Sequence, residues 1–243
     1  TGPVAIVYTV TLSQVNNTGS AISFDIASSG GSATSGADYT AIPGGAQISV
    51  ANGAATGTYT VLVTDDALLE ATETVQATIS TSSNPAVSSA TATATANITD
   101  NDAATAALSV TTQGNEAGPV AIVYTVTLSK QNDTGVAITF DLDDLLTGSA
   151  ASGLDYTAIP AGAQITIANG ASTGSLAVAV TDDAALESTE TVAAQLSNSS
   201  NAAVAITGAT ATANITDNDT ANAVLSVTTQ GNEAGPVAIV YTV

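Results

Sequence analysis

The sequence predicts an all-β chain of tandem, immunoglobulin-like antiparallel β-sandwiches. Three observations predict it. A segment repeats at the length of a whole domain, runs of β-branched residues are cut by turn formers, and no segment shows a convincing 3.6-residue apolar period.

The repeat sets the organisation. Gly2-Pro3-Val4-Ala5-Ile6-Val7-Tyr8-Thr9-Val10 recurs at residues 118–126 and at 235–243, giving periods of 116 and 117 residues. Ser35-Gly36-Ala37-Asp38-Tyr39-Thr40-Ala41-Ile42-Pro43 returns at 152–160 with Leu154 for Ala37. Residues 96–102 return at 213–219, and residues 108–116 return at 225–233. A unit of this length is a domain, not a solenoid turn. The copies divide the chain into residues 1–105, a module lacking its first strand; residues 106–220, a complete module; and residues 221–243, the opening strands of a third. The chain reads as a window on a longer array. Its linker, Ala103 to Ala106, is short and leaves little slack.

Within the complete module, residues 120–129 alternate as a half-buried strand. Residues 136–142, 164–168, 175–181, 191–197 and 210–215 follow, separated by Gly, Asn, Asp, Pro and Ser clusters. About seven short strands in a domain of this size make an antiparallel two-sheet sandwich. Aromatics are only 3% of the chain, so each core is thin and built from Ala, Val, Ile and Leu.

Composition removes whole classes of function. One basic residue, Lys130, stands against 21 acids, for a net charge of −20. Nothing here neutralises phosphates, which excludes nucleic acid and anionic membrane surfaces as partners. No apolar run approaches the ~20 residues of a membrane span. The chain has no His, Cys, Met or Trp. Any metal site must therefore use hard oxygen ligands. The same inventory argues against an enzyme: there is no activated nucleophile, and a carboxylate pair for glycoside hydrolysis lacks the aromatic platforms that hold a sugar.

The acids repeat in step. The complete module has Glu116, Asp155, Asp182, Asp183, Glu187, Glu190, Asp217 and Asp219. The first has Asp38, Asp65, Asp66, Glu70, Glu73, Asp100 and Asp102, and Glu233 opens the third. Asp38 to Asp65 and Asp155 to Asp182 are both 27 residues; Asp66 to Asp100 and Asp183 to Asp217 are both 34. These acids follow the ends of predicted strands, and Glu116 lies in the turn between the first two. If the turns share one end of the sandwich, eight carboxylates converge there with no Arg or Lys to offset them. Divalent cations are the remaining remedy. Ca²⁺, which accepts six to eight oxygens in flexible geometry, suits the set better than Mg²⁺. Asp25 and Asp141, repeated but inside strands, read as solvated or turn acids, as do the unrepeated Asp133, Asp143 and Asp144.

Asp-Tyr after a small-residue loop, then Asp-Asp-x-x-x-Glu-x-x-Glu, then a strand ending Ile-Thr-Asp-Asn-Asp resembles the Calx-β domain, a module of sodium–calcium exchangers and of many bacterial surface adhesins. The resemblance covers essentially the whole repeat. It implies an immunoglobulin-like sandwich holding a Ca²⁺ cluster at one end, with the acids named above as ligands. It also implies backbone carbonyl ligands at Leu68 and Ala185. The chain departs from some family members at Ala67, Ala184, Asn101 and Asn218, where a middle acid is missing.

The sequence therefore predicts a non-catalytic, extracellular or cell-surface repeat protein: a stalk, adhesin shaft or filament rigidified by Ca²⁺ at module ends. Its expected partners are neighbouring modules of the same or an identical chain and a cell-surface or matrix target. The alternatives are a regulatory calcium-sensing module, or a subunit of a polymer made by strand exchange.

Overall fold

A computed structural model describes residues 3–89, 92–231, 233–235 and 238–243. Gly2, and Pro236 and Val237 of the repeated opening segment, thus lie outside the described residues. Every regular element among those described is a strand, and no helix is long and apolar enough to cross a membrane.

The chain forms two compact units. The first is Thr1–Ala104 with Lys130–Ala137 and Ala168–Ala171. Its strands are β1 (Ile6–Thr11), β2 (Ile22–Gly31), β3 (Gln47–Val50), β4 (Thr56–Val61), β5 (Leu69–Glu70), β6 (Glu73–Ser82) and β7 (Ala92–Ile98). β1 pairs antiparallel with β4, and β3-β2-β6-β7 form the second sheet. The alternation of β1 turns Ile6, Tyr8 and Val10 inward, against Ile22, Phe24 and Ile26 of β2 and Val75 and Ala77 of β6. The Tyr8 hydroxyl crosses between the sheets to donate to the Val75 carbonyl at 2.8 Å, so the largest side chain of β1 is buried with its polar tip satisfied.

The second unit is Thr105–Ser129, Ile138–Ile167 and Ser172–Val243. Next in the chain come β8 (Ala104–Thr112), β9 (Gly114–Asn115), β10 (Ile122–Leu128), β11 (Asn132–Asp133), β12 (Ile138–Asp144), β13 (Gln164–Ile167), β14 (Thr173–Val178), β15 (Glu190–Ser197), β16 (Val204–Gly208) and β17 (Thr210–Thr216). β11 belongs to the first unit, where it pairs parallel with β5. The second unit's sheets are β14-β10-β8-β16 and β13-β12-β15-β17-β9, which make a two-sheet sandwich. Tyr124 repeats the inter-sheet bond of Tyr8, donating to the Val192 carbonyl at 2.8 Å. Phe140, Leu142, Ile165, Ile167 and Ile215 fill the core around it.

β8 starts at Ala104, so three of the four residues that the sequence reads as a linker are strand. β9 is only two residues, and it runs parallel to the end of β17, with Gly114 opposite Ile215 and Asn115 opposite Thr216. Gly114 has no side chain because there is no room for one. A Cβ there would stand 2.9 Å from Val180 and 3.0 Å from both Ile122 and Ile215. Beyond the sandwich, β18 (Ser226–Thr229) and β19 (Val240–Thr242) form an exposed antiparallel ribbon.

Candidate metal centre

The second unit gathers its acids by tying loop to strand with backbone hydrogen bonds. The Asp155–Tyr156 loop is zipped to the chain leaving β14: the Thr157 amide donates to Ala179 at 2.8 Å and the Thr181 amide to Asp155 at 2.9 Å. Tyr156 is buried beneath it and donates its hydroxyl to Asp144 at 2.7 Å. Glu190 opens β15 directly opposite Ile215 of β17, whose continuation carries Asp217 and Asp219. β9 then delivers the last acid. The Glu116 amide donates to the Thr216 carbonyl at 3.1 Å, setting the side chain beside Asp217.

Two trios result, Glu116–Asp217–Asp219 and Asp155–Glu187–Glu190. In each, one oxygen of every residue lies within 4.8 Å of the others. The two oxygens of Asp217 accept the amides of Asp219 and Glu187, both at 2.7 Å, and hold its carboxyl below the ordinary range. Its neighbours shift the other way. Burial first, then Asp217 and Glu187, push Glu116 up. Burial first, then a hydrogen bond and repulsion from Asp155, push Glu190 up to about 7. Desolvation and neighbouring acids raise Glu187 and Asp219 as well.

Asp182 and Asp183 join neither trio. Both are exposed: Asp183 accepts the Ala185 amide at 2.7 Å, and Asp182 accepts the Asn218 side-chain amide at 3.1 Å. Six of the eight sequence-derived acids of this unit therefore meet in trios, and the Asp pair stands at the rim beside Asp219.

The first unit builds a related set from Asp38, Asp66 and Glu70. Asp100 accepts the amides of Glu70 and Asp102, at 2.9 and 2.7 Å, and Asp66 accepts that of Leu68 at 2.8 Å. Burial first, then Asp66, Asp38 and Asp100, push Glu70 up to about 7. Glu73 reaches the same value by burial and its hydrogen bond with Asp38. Lys130 pairs with Asp102. Asp65 lies on an open groove with Asp66, Asp100 and Asp102. Glu233 is exposed in a turn and belongs to none of the trios.

Asp133 is exposed, as the sequence reading has it, and accepts the Asn169 side-chain amide at 3.5 Å. It sits on β11 among the first unit's acids, lining one cavity with Asp38, Asp66, Glu70 and Glu73 and adding to the repulsion on Glu70 and Glu73. The signal for it was a break in the repeat: Lys130 and Asp133 replace Gln14 and Asn17 of the first copy. The other acids set aside from the clusters have local partners. Asp25 and Asp141 each accept a glutamine amide from the neighbouring strand at 2.8 Å, and Asp143 accepts the Ser197 hydroxyl at 2.9 Å.

The donor set fits Ca²⁺. Every candidate ligating side-chain atom is a hard oxygen, and among the described residues four carboxylate oxygens are buried without a hydrogen-bond partner: Oε2 of Glu73, Glu116 and Glu190, and Oδ2 of Asp219. Buried, unpartnered anionic oxygens facing other acids are the electrostatic complement of a divalent ion.

The chain is similar to several solved structures. The apo-form Calx CBD1 domain is 20% identical, with 48% of this chain covering 99% of that one at a TM-score of 0.38. CBD12 from CALX1.2 is 14% identical over 87% of this chain and 92% of its own, at a TM-score of 0.35. The calcium binding domain CBD12 of CALX1.1 is also 14% identical, over 87% and 93%, at 0.37. No curated protein matches the chain in sequence. The Calx-β domain model matches residues 4–102 and again 103–219, so the chain belongs to the Calx-β family and carries two of its domains in tandem.

Proposed function

We propose that the chain is a segment of an extracellular structural array, a stalk, adhesin shaft or surface filament, whose Calx-β domains are stiffened by Ca²⁺ held among their loop acids. The observation that carries the calcium reading is Glu116. It is 2% exposed, one of its oxygens has no hydrogen-bond partner, and its near neighbours are Asp217, Glu187 and Asp183. The chain's one lysine is engaged with Asp102. Such a cluster is costly while ionised and bare, and favourable around a cation. The proposed ligands are the carboxylates of the trios, with Glu73, Asp100 and Asp102 beside the first and Asp182 and Asp183 at the rim of the second. Leu68 and Ala185 would contribute carbonyls.

The array reading rests on the close similarity of successive copies and on β8 starting at Ala104, which leaves almost no chain as free linker. We read the chain as a binding module and not as an enzyme, because it has no His or Cys to serve as base or nucleophile.

Thermal melting tests the calcium reading. Ca²⁺ raises the midpoint over that in EDTA, since a ligand that binds only the native state stabilises it; a midpoint unmoved by Ca²⁺ refutes it. Calorimetric titration with small-angle scattering separates the roles. Millimolar-range binding that stiffens the chain supports the structural role. Micromolar binding with a large change of shape assigns the module to regulatory calcium sensing instead.

A further inference from the structure

One segment of the second unit belongs to both of its sheets. β8 lies between β10 and β16 in one sheet, and β9 pairs with the end of β17 at the edge of the other. The two ends of this crossing are held differently. β8 is anchored through the core: Ala106 and Leu108 are buried, and the strand is paired with β10 from Ala106 to Val110. β9 has two rungs of parallel pairing, and the residue it buries deepest in the core is a glycine, Gly114. Its further ties to β17 are polar. The Glu116 amide donates to the Thr216 carbonyl at 3.1 Å, and the Asn214 amide donates to the Gln113 side chain at 2.6 Å.

Parallel pairing brings both strands out at the same end of the sheet. Gly114 stands opposite Ile215 and Asn115 opposite Thr216, so the next residues, Glu116 and Asp217, leave side by side. Glu116 is 2% exposed, and its Oε2 is buried without a hydrogen-bond partner. It offers an oxygen within 4.8 Å of oxygens of Asp217 and Asp219. Like charges in register oppose a strand pairing, and two rungs give it little to resist them with. A cation held among the same three carboxylates reverses the sign. It draws Glu116 toward Asp217 and so closes β9 on β17.

We infer that β9 is a latch worked by the cation: Ca²⁺ shared by Glu116, Asp217 and Asp219 holds β9 on β17, and without it β9 swings off β17 while β8 stays in its sheet. The latch rests on the calcium reading of this site and adds a moving part to it. Release of β9 lifts Gly114 from among Ile122, Val180 and Ile215 and opens the core of the second unit at one end. Loss of calcium therefore loosens the module locally without unfolding it. Opening withdraws one ligand from the ion, so the ion favours the closed latch by the affinity which that ligand supplies.

Hydrogen exchange of the 243-residue chain, resolved to single amides at pH 8 in EDTA and in saturating Ca²⁺, tests it, with bound Ca²⁺ measured by equilibrium dialysis. The reporters are the Glu116 and Asn214 amides, which bridge β9 and β17. In Ca²⁺ they exchange about tenfold more slowly or better, whereas the amides of the β8–β10 ladder change far less. Glu116→Gln keeps the side chain's size and removes its charge. In EDTA its reporter amides exchange more slowly than the parent's, and Ca²⁺ adds little further protection. A merely structural role for the Glu116 carboxylate predicts the opposite, faster exchange in that variant without metal. Bound Ca²⁺ with unchanged exchange at β9, or equal slowing throughout the second unit, overturns the latch and leaves the calcium reading standing. Absence of bound Ca²⁺ overturns both.

Discussion

Residues 4–12 and 120–128 have one sequence and two environments. In the second unit Ile122, Tyr124 and Val126 are wholly buried, between β14 on one side and β8 on the other. In the first, Ile6, Tyr8 and Val10 keep up to 9% exposure on a strand whose one neighbour among the described residues is β4. The same contrast separates Ile215, which is buried, from Ile98, which is partly exposed. What differs is not the residues compared but one segment, residues 104–116, which closes a sheet, seals the core and brings a carboxylate to the acid cluster. Core completion and site completion are thus a single structural event in this fold.

The comparison is broken most severely from the inserted strand. Leu108→Ala removes a buried side chain from β8 and is expected to cost the second unit about 2–5 kcal/mol, with no effect on the first. Calorimetry should show one transition falling and the other fixed; a matching fall in both would erase the distinction between the units. Calcium comes next. At a hundredfold excess over its Kd, one ion contributes about 2.7 kcal/mol, several degrees in the midpoint of a domain this size. Both units, each with an acid trio, should rise above their EDTA values.

Glu116→Gln sharpens the same contrast. It is expected to weaken Ca²⁺ binding by about tenfold, roughly 1.4 kcal/mol. Without metal, the variant's second transition should move upward, because an unpartnered buried charge has gone. A variant that binds Ca²⁺ as the parent does would remove Glu116 from the site.

Acidification of the metal-free protein has a smaller effect of definite sign. Glu70, Glu73 and Glu190 titrate at about 7 in the folded chain against an ordinary 4.5, chiefly because burial disfavours their charge. Between those values the folded state holds protons that the unfolded state releases. Stability is therefore fully present below about pH 4.5 and is lost as pH rises through 7. Melting should fall from pH 5 to pH 8 without metal and reverse its trend in Ca²⁺, whose ligands must be deprotonated. Lys130→Ala is the mildest change. Its pairing with Asp102 is part-exposed, and its loss should cost the first unit no more than about 1 kcal/mol, measured by denaturant titration.

Much of this was legible in the sequence, because the repeat reports structure twice. The strand read over residues 120–129 forms at Ile122–Leu128, and that over 164–168 at Gln164–Ile167, since strict alternation on a two-sided sheet leaves little freedom of register. The acid spacings pointed to loops whose acids come together in the structure. They did not separate Glu116, driven inward by a two-residue parallel pairing, from Asp182 and Asp183, which stay in solvent with amide partners of their own. That pairing joins residues about 100 positions apart in the chain, and no local pattern encodes it. That Asp133 lines a cavity with Asp38 and Glu70 was not legible for the related reason that these neighbours come from distant sequence.

The tyrosines that stitch the sheets together have a mechanical consequence. Tyr124 sits at the middle of β10, and its hydroxyl is anchored on β15 in the opposite sheet. A load that peels β10 away must break the β8 ladder, the β14 ladder and this buried bond together, instead of unzipping one edge a rung at a time. In the first unit Tyr8 provides the same rivet while β1 has one ladder. In both units, extraction of the tyrosine-bearing strand therefore costs its ladders and its tyrosine bond at once.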